Sequence, residues 1–221
     1  MGLLSNYKTG WFILVEIPRH KVFISYYHAD DQYYKNKLLE LNKYYNIFDD
    51  YSVHEDEIDD TGMTNELIRC EIRDKYIAGA TVLILLCGKN TKNRKHIDWE
   101  LHAAMYDSNS NPKMGILVIN LPSIENNSEM RAFGFDEQKA MGAYINWQPA
   151  SRDLRDIQND HPYLADRIVK NLIRENVVIS IANWNNIIGK TETIKLLIDN
   201  AFKRRNTNIY DYSAPLKGRN S

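Results

Sequence analysis

The chain is poor in cysteine, with two in 221 residues, and that scarcity excludes a small secreted scaffold framed by disulfides. Cys70 falls in a helical pattern and Cys87 in an apolar strand-like run, so both read as reduced thiols. Long hydrophobic runs are missing too. The segment Trp11 to Ile17 is broken by Glu16 and falls far short of the ~20 residues needed to cross a bilayer. It lacks the basic leader and small-residue cleavage site of an export signal, and Asn6 stands where a myristoylation motif wants Ser or Thr. A cytoplasmic protein with no membrane role is the expectation. Charge of one sign is also lacking, the formal net charge being -1. The only basic clusters, Lys92 to Lys95 and Lys203 to Arg205, are too small to suggest nucleic-acid binding.

Several chemistries lack their motifs. No Cys-x-x-Cys, HxxxH or HExxH arrangement offers a metal site, and neither a GxSxG elbow nor a GxGxxG turn is present. Gly189-Lys190-Thr191 looks like the end of a phosphate loop, but Trp184 occupies the position where that loop needs its first glycine. The tripeptide reads better as the start of a helix with Thr191 as its N-cap.

What is present is alternation. Lys21 to Tyr26 is a β-rich run, and Ala29 to Asn46 follows with Tyr34, Leu38, Leu41 and Tyr45 at helical spacing behind Asp30 and Asp31, acids suited to a helix start. A short strand within Ile47 to His54 leads into the acidic stretch His54 to Gly62, which holds five acids. A helix over Thr64 to Tyr76, the unbroken apolar run Ala80 to Cys87, a helix centred on Glu100 and the apolar run Met114 to Leu121 complete a βαβαβαβ order. In the third helix Ile97, Leu101, Ala104 and Met105 face inward.

Such an order predicts a parallel sheet covered on both faces, flavodoxin-like in outline. Residues 1 to 20 read as a leader or an edge strand around Trp11 to Val15. Beyond Pro122 the spacing predicts a loop over Ser123 to Gly142, strands at Ala143 to Trp147 and Val177 to Ala182, and a helix within Pro162 to Glu175. An amphipathic helix over Thr191 to Arg205 and a frayed tail, 206 to 221, follow. One domain, 21 to 205, with an α/β extension after residue 121, is the expected organisation.

Phe23-Ile24-Ser25-Tyr26, the acidic stretch, Val82 to Leu86 and Asp98-Trp99-Glu100-Leu101 occur in an order and spacing that resemble a TIR domain. The resemblance spans Lys21 to Leu121 and is closest to the ThsB-like branch found in bacterial Thoeris antiphage systems. It implies a TIR-type fold and, in active members, cleavage of the bond between nicotinamide and ribose in NAD, with the family glutamate falling on Glu100. NAD is then substrate and no cofactor is required.

Nicotinamide leaves as a neutral molecule, so one carboxylate suffices where ordinary glycosidases need two. The same resemblance puts Tyr26, Tyr27 and His28 at the nucleotide pocket, with Asp30, His96 and Trp99 as further contacts. It also makes His54 to Gly62 the loop that gates the site or meets partners. Many active members carry Trp four residues before the glutamate; this chain has His96 there, and Trp99 directly before Glu100. A downstream effector that senses the nucleotide product, a phage-derived trigger and self-association are the implied partners. The alternative is a noncatalytic adaptor acting through protein association.

Overall fold

In a computed structural model, the described residues are 18–52, 62–64, 67, 70–72, 74, 77–109, 111–142 and 153–220. The edge strand around Trp11 to Val15, nearly all of the acidic stretch His54 to Gly62 and the strand expected at Ala143 to Trp147 lie outside them. Of the helix expected over Thr64 to Tyr76, Leu67, Cys70 and Glu71 are described and helical.

Five parallel strands form one sheet in the order β2-β1-β3-β4-β5, with β1 at Lys21–Ser25, β2 at Asp49–Asp50, β3 at Val82–Cys87, β4 at Gly115–Asn120 and β5 at Ser180–Asn183. This is the flavodoxin-like α/β arrangement of a TIR-type domain. Every residue of β3 and β4 is buried, which is why these strands read as unbroken apolar sequence. The expected strand at Val177 to Ala182 is real as β5 and pairs with β4, so the segment after residue 121 completes the sheet.

Alternate strand residues feed two cores. On one face Val22, Ile24, Ile84 and Leu117 pack with α1 (His28–Tyr45), α6 (Trp184–Ile187) and α7 (Thr191–Arg204). On the other, Phe23, Leu85, Val118 and Ile181 pack with α2 (Lys95–Met105), α4 (Leu154–Asp160) and α5 (Asp166–Leu172). Helix α1 ends at Asn46, whose φ of 52° and ψ of 53° make a left-handed cap. At the foot of β4 a Cβ on Gly115 would lie 2.1 Å from the Ala201 carbonyl oxygen, so glycine is what lets α7 press its backbone against the sheet.

Four expectations need correction. The loop over Ser123 to Gly142 contains α3 (Phe135–Met141), and Arg131 makes an antiparallel bridge to Ile181. Its anchor is Glu137, fully buried and paired with Arg204 at 2.8 Å. Thr191 is the first helical residue and not the N-cap, a role that falls to Lys190 without a side-chain bond. His20, counted with the leader, is buried on α7: it stacks on Phe202 with ring centroids 4.1 Å apart and lies 3.0 Å from Asp199.

The fourth correction concerns 206 to 221. Its described residues, 206–220, are held to the body of the protein by side chains that bond backbone groups. Asn208 exchanges bonds of 2.8 and 3.0 Å with the Val178 N–H and carbonyl, and Asn171 does the same with the backbone of Asp211 at 2.8 and 2.9 Å. Tyr210 is buried in the core on the α2 side of the sheet.

Candidate active site

The strand order reverses between β1 and β3. Chain leaving β1 turns to α1 on one face, and chain leaving β3 turns to α2 on the other, so the two loops diverge and open a crevice at the carboxyl ends of the strands. The last residue of β1 is Ser25, whose side chain is buried among apolar neighbours and therefore needs a partner. It finds one in Glu100: the Ser25 hydroxyl donates to Oε2 at 2.6 Å. That distance is typical of a charge-assisted bond. Glu100 lies on the half-buried side of α2, because Ile97, Leu101, Ala104 and Met105 take the buried side as their spacing predicts.

The other anticipated residues divide between the two faces. Tyr27 packs toward the α2 side, and the Arg94 guanidinium lies over its ring at 3.8 Å from the centroid. Tyr26 turns to the α1 side, where its hydroxyl donates to Gln32 Oε1 at 2.7 Å and the Lys35 ammonium sits 4.9 Å from its ring centroid. His28 opens α1, exposed, with Nδ1 3.4 Å from the Tyr26 hydroxyl. Asp30 is exposed and accepts from the Asn90 amide at 2.7 Å, tying the first turn of α1 to the loop after β3.

His96 stands edge-on to Trp99, centroids 4.9 Å apart. Trp99 itself is only 2% exposed, and its indole N–H donates to the Lys217 carbonyl at 2.9 Å. The structure thus places Trp99 in the core, under a chain segment 118 residues away, and not at the crevice surface. Ser25 and Tyr27 stand with Glu100's helix on one face; Tyr26 and His28 stand on the other.

Two further residues stand beside the crevice: Asp31, which the sequence offered only as a helix-start acid, and Ser25, which it placed in the first strand without a role. Asp31 is 4% exposed, one of its carboxylate oxygens has no hydrogen-bond partner, and the other lies 2.6 Å from where a Cβ on Gly88 would be. Burial, reinforced by the charge of Asp30, pushes its pKa up to about 6, against a hydrogen bond with the Tyr27 backbone. Ser25 is the second. Its signal was a lone hydroxyl closing an otherwise apolar strand. Cys87, at the end of β3, is fully buried, which pushes its thiol far up and excludes it as a thiolate nucleophile.

No helix among the described residues is long and apolar enough to cross a membrane. No curated protein matches the sequence. Residues 23–126 match the family model described as Thoeris protein ThsB, TIR-like domain. The matched stretch runs from β1 to just beyond β4 and contains both Ser25 and Glu100. Fold and match agree over this stretch: residues 23–126 are similar to the ThsB TIR-like domain, and the parallel sheet that they supply most of is of that type.

Proposed function

We propose that this protein cleaves the bond between nicotinamide and ribose in NAD, with Glu100 as the catalytic carboxylate, and so makes an ADP-ribose-type nucleotide signal in antiphage defence. The observation that carries the reading is the position of Glu100, at the crevice where the strand order reverses and oriented by the Ser25 hydroxyl at 2.6 Å. Nicotinamide departs with the bonding electrons and becomes neutral, so no proton donor is needed at the leaving group. Positive charge builds on the anomeric carbon and its ring oxygen, and a fixed carboxylate opposes it in the transition state.

The acceptor then closes the reaction. Water adds its oxygen to the anomeric carbon and loses a proton, giving ADP-ribose; a hydroxyl of the same molecule gives a cyclic isomer, the product proposed here. Tyr27 offers an aromatic face and Arg94, held over it, a cation for the pyrophosphate. A nucleotide-sensing effector would receive the product, and a phage-derived trigger would start the reaction.

Incubating the protein with NAD, alone and with phage-derived material, and separating products by chromatography tests the proposal. Nicotinamide release that falls about 10²- to 10³-fold in Glu100→Gln is the expected result. Equal release by the variant would overturn it. A second reading, a noncatalytic scaffold, is favoured by a groove of about 390 Å³ between α1 and α6, where Tyr33 and Tyr44 are 63% and 77% exposed beside Trp184. No release with or without trigger selects that reading.

A further inference from the structure

Helix α2, which carries Glu100, begins without a local cap. Its cap residue is Arg94, whose side chain makes no bond to the first-turn amides. The missing acceptor comes from far along the chain: Asn220 Oδ1 accepts from the Lys95 N–H at 2.9 Å. Next to it the Lys217 N–H donates to Asp98 Oδ2 at 2.9 Å, the Lys217 carbonyl accepts from the Trp99 indole at 2.9 Å, and the Lys217 ammonium donates to the Lys92 carbonyl at 2.7 Å. Arg167 fixes the other side of the same assembly. Its guanidinium grips Asp98 in a two-pronged bond, at 2.8 and 2.9 Å, and donates to the Ala214 and Pro215 carbonyls at 3.2 Å.

We propose that segment 214–220 is a strap that sets the position of Glu100, with Lys217 and Asn220 as positioning residues. Asp98 and Trp99, both bonded to Lys217, are the two residues immediately before Glu100, and Lys95 is one turn and a half before it. A carboxylate acts on a developing charge only if it is held where that charge appears, so loss of the strap loosens the one group on which the reaction depends. The role in turnover rests on the reading of Glu100 as the reactive carboxylate; the mechanical role does not.

The test uses the full chain with Asn220→Ala, Asn220→Asp and Lys217→Pro, the last removing the N–H that Asp98 accepts. Glu100 labelling by a water-soluble carbodiimide is followed by peptide mass spectrometry, and nicotinamide release gives kcat and KM. Asn220→Ala and Lys217→Pro are expected to raise Glu100 labelling about 3- to 30-fold, the scale of a lost helix cap. Turnover is expected to fall in kcat by a similar factor, with KM moving less than about twofold. Asn220→Asp, which keeps the acceptor and adds a charge the helix start favours, is expected to restore both.

Labelling unchanged in both damaging variants, or not restored by Asn220→Asp, overturns the strap. If the wild-type protein releases no nicotinamide while its Glu100 labelling responds to the variants, the NAD reading falls and the strap stands.

Discussion

Ser25 and Glu100, 75 residues apart, share a hydrogen bond of 2.6 Å that joins the end of the first strand to the helix opposite it. Ser25→Ala removes the donor and leaves the strand's shape. The predicted result is a kcat about 10- to 100-fold below wild type, less severe than Glu100→Gln because the carboxylate remains but swings more widely. Steady-state nicotinamide release checks it, and an unchanged kcat would count against any orienting role for the hydroxyl.

Arg94 is flat and delocalised, and its seat on the Tyr27 ring depends on that shape. Arg94→Lys keeps the charge and loses the stacking. A KM for NAD raised about 3- to 10-fold is predicted, the range of one partly desolvated cation–π contact. Isothermal titration with NAD on the Glu100→Gln background measures the same loss without turnover.

Asp31 gives the protein a pH dependence whose sign follows from its environment. In the unfolded chain the carboxyl titrates in the ordinary range, whereas burial holds it at about 6 in the folded state. Between those values the folded protein binds a proton that the unfolded chain has released, so stability falls as pH rises through about 6 and is recovered on acidification. Asp31→Asn is predicted to be more stable than wild type at pH 8 by on the order of 1–2 kcal/mol, a discounted share of that shift. The gap closes near pH 4. Urea unfolding at the two pH values measures it, and a pH-independent difference would reject this account.

Gly115→Ala places a methyl group 2.1 Å from the Ala201 carbonyl oxygen and 2.9 Å from the Phe202 nitrogen. Backbone on both sides has to move. A loss of about 2–3 kcal/mol is predicted, visible as a lower midpoint in thermal unfolding; an unshifted midpoint would mean that α7 does not seat on β4 as described.

Much of the fold is legible in the sequence because burial on both faces leaves no alternative. The runs that become β3 and β4 cannot face water anywhere, and the buried side of α2 follows from Ile97, Leu101, Ala104 and Met105. That Glu100 stands off the buried side follows from the same spacing. Its partnership with Ser25 does not, because a strand pattern does not say which distant helix will answer a buried hydroxyl.

Between Asp30 and Asp31 the helix-start rule has no preference. The helical phase does, since Asp31, Lys35 and Leu38 form one buried stripe. Segment 206–220 reads as loose for another reason. Its contacts join single side chains to scattered backbone groups, as Asn208 does with Val178 and Asn171 with Asp211, and no periodicity marks such bonds.

The bond between Lys95 and Asn220 closes a loop of 125 residues, whereas the pairing of Val22 with Val82 joins β1 to β3 across 60 residues and that of Val82 with Gly115 joins β3 to β4 across 33. Chain entropy therefore favours assembly of the central sheet first and makes the cap of α2 one of the last native contacts to form. Reversed, the same ordering makes this end of the helix an early point of departure when the molecule unfolds.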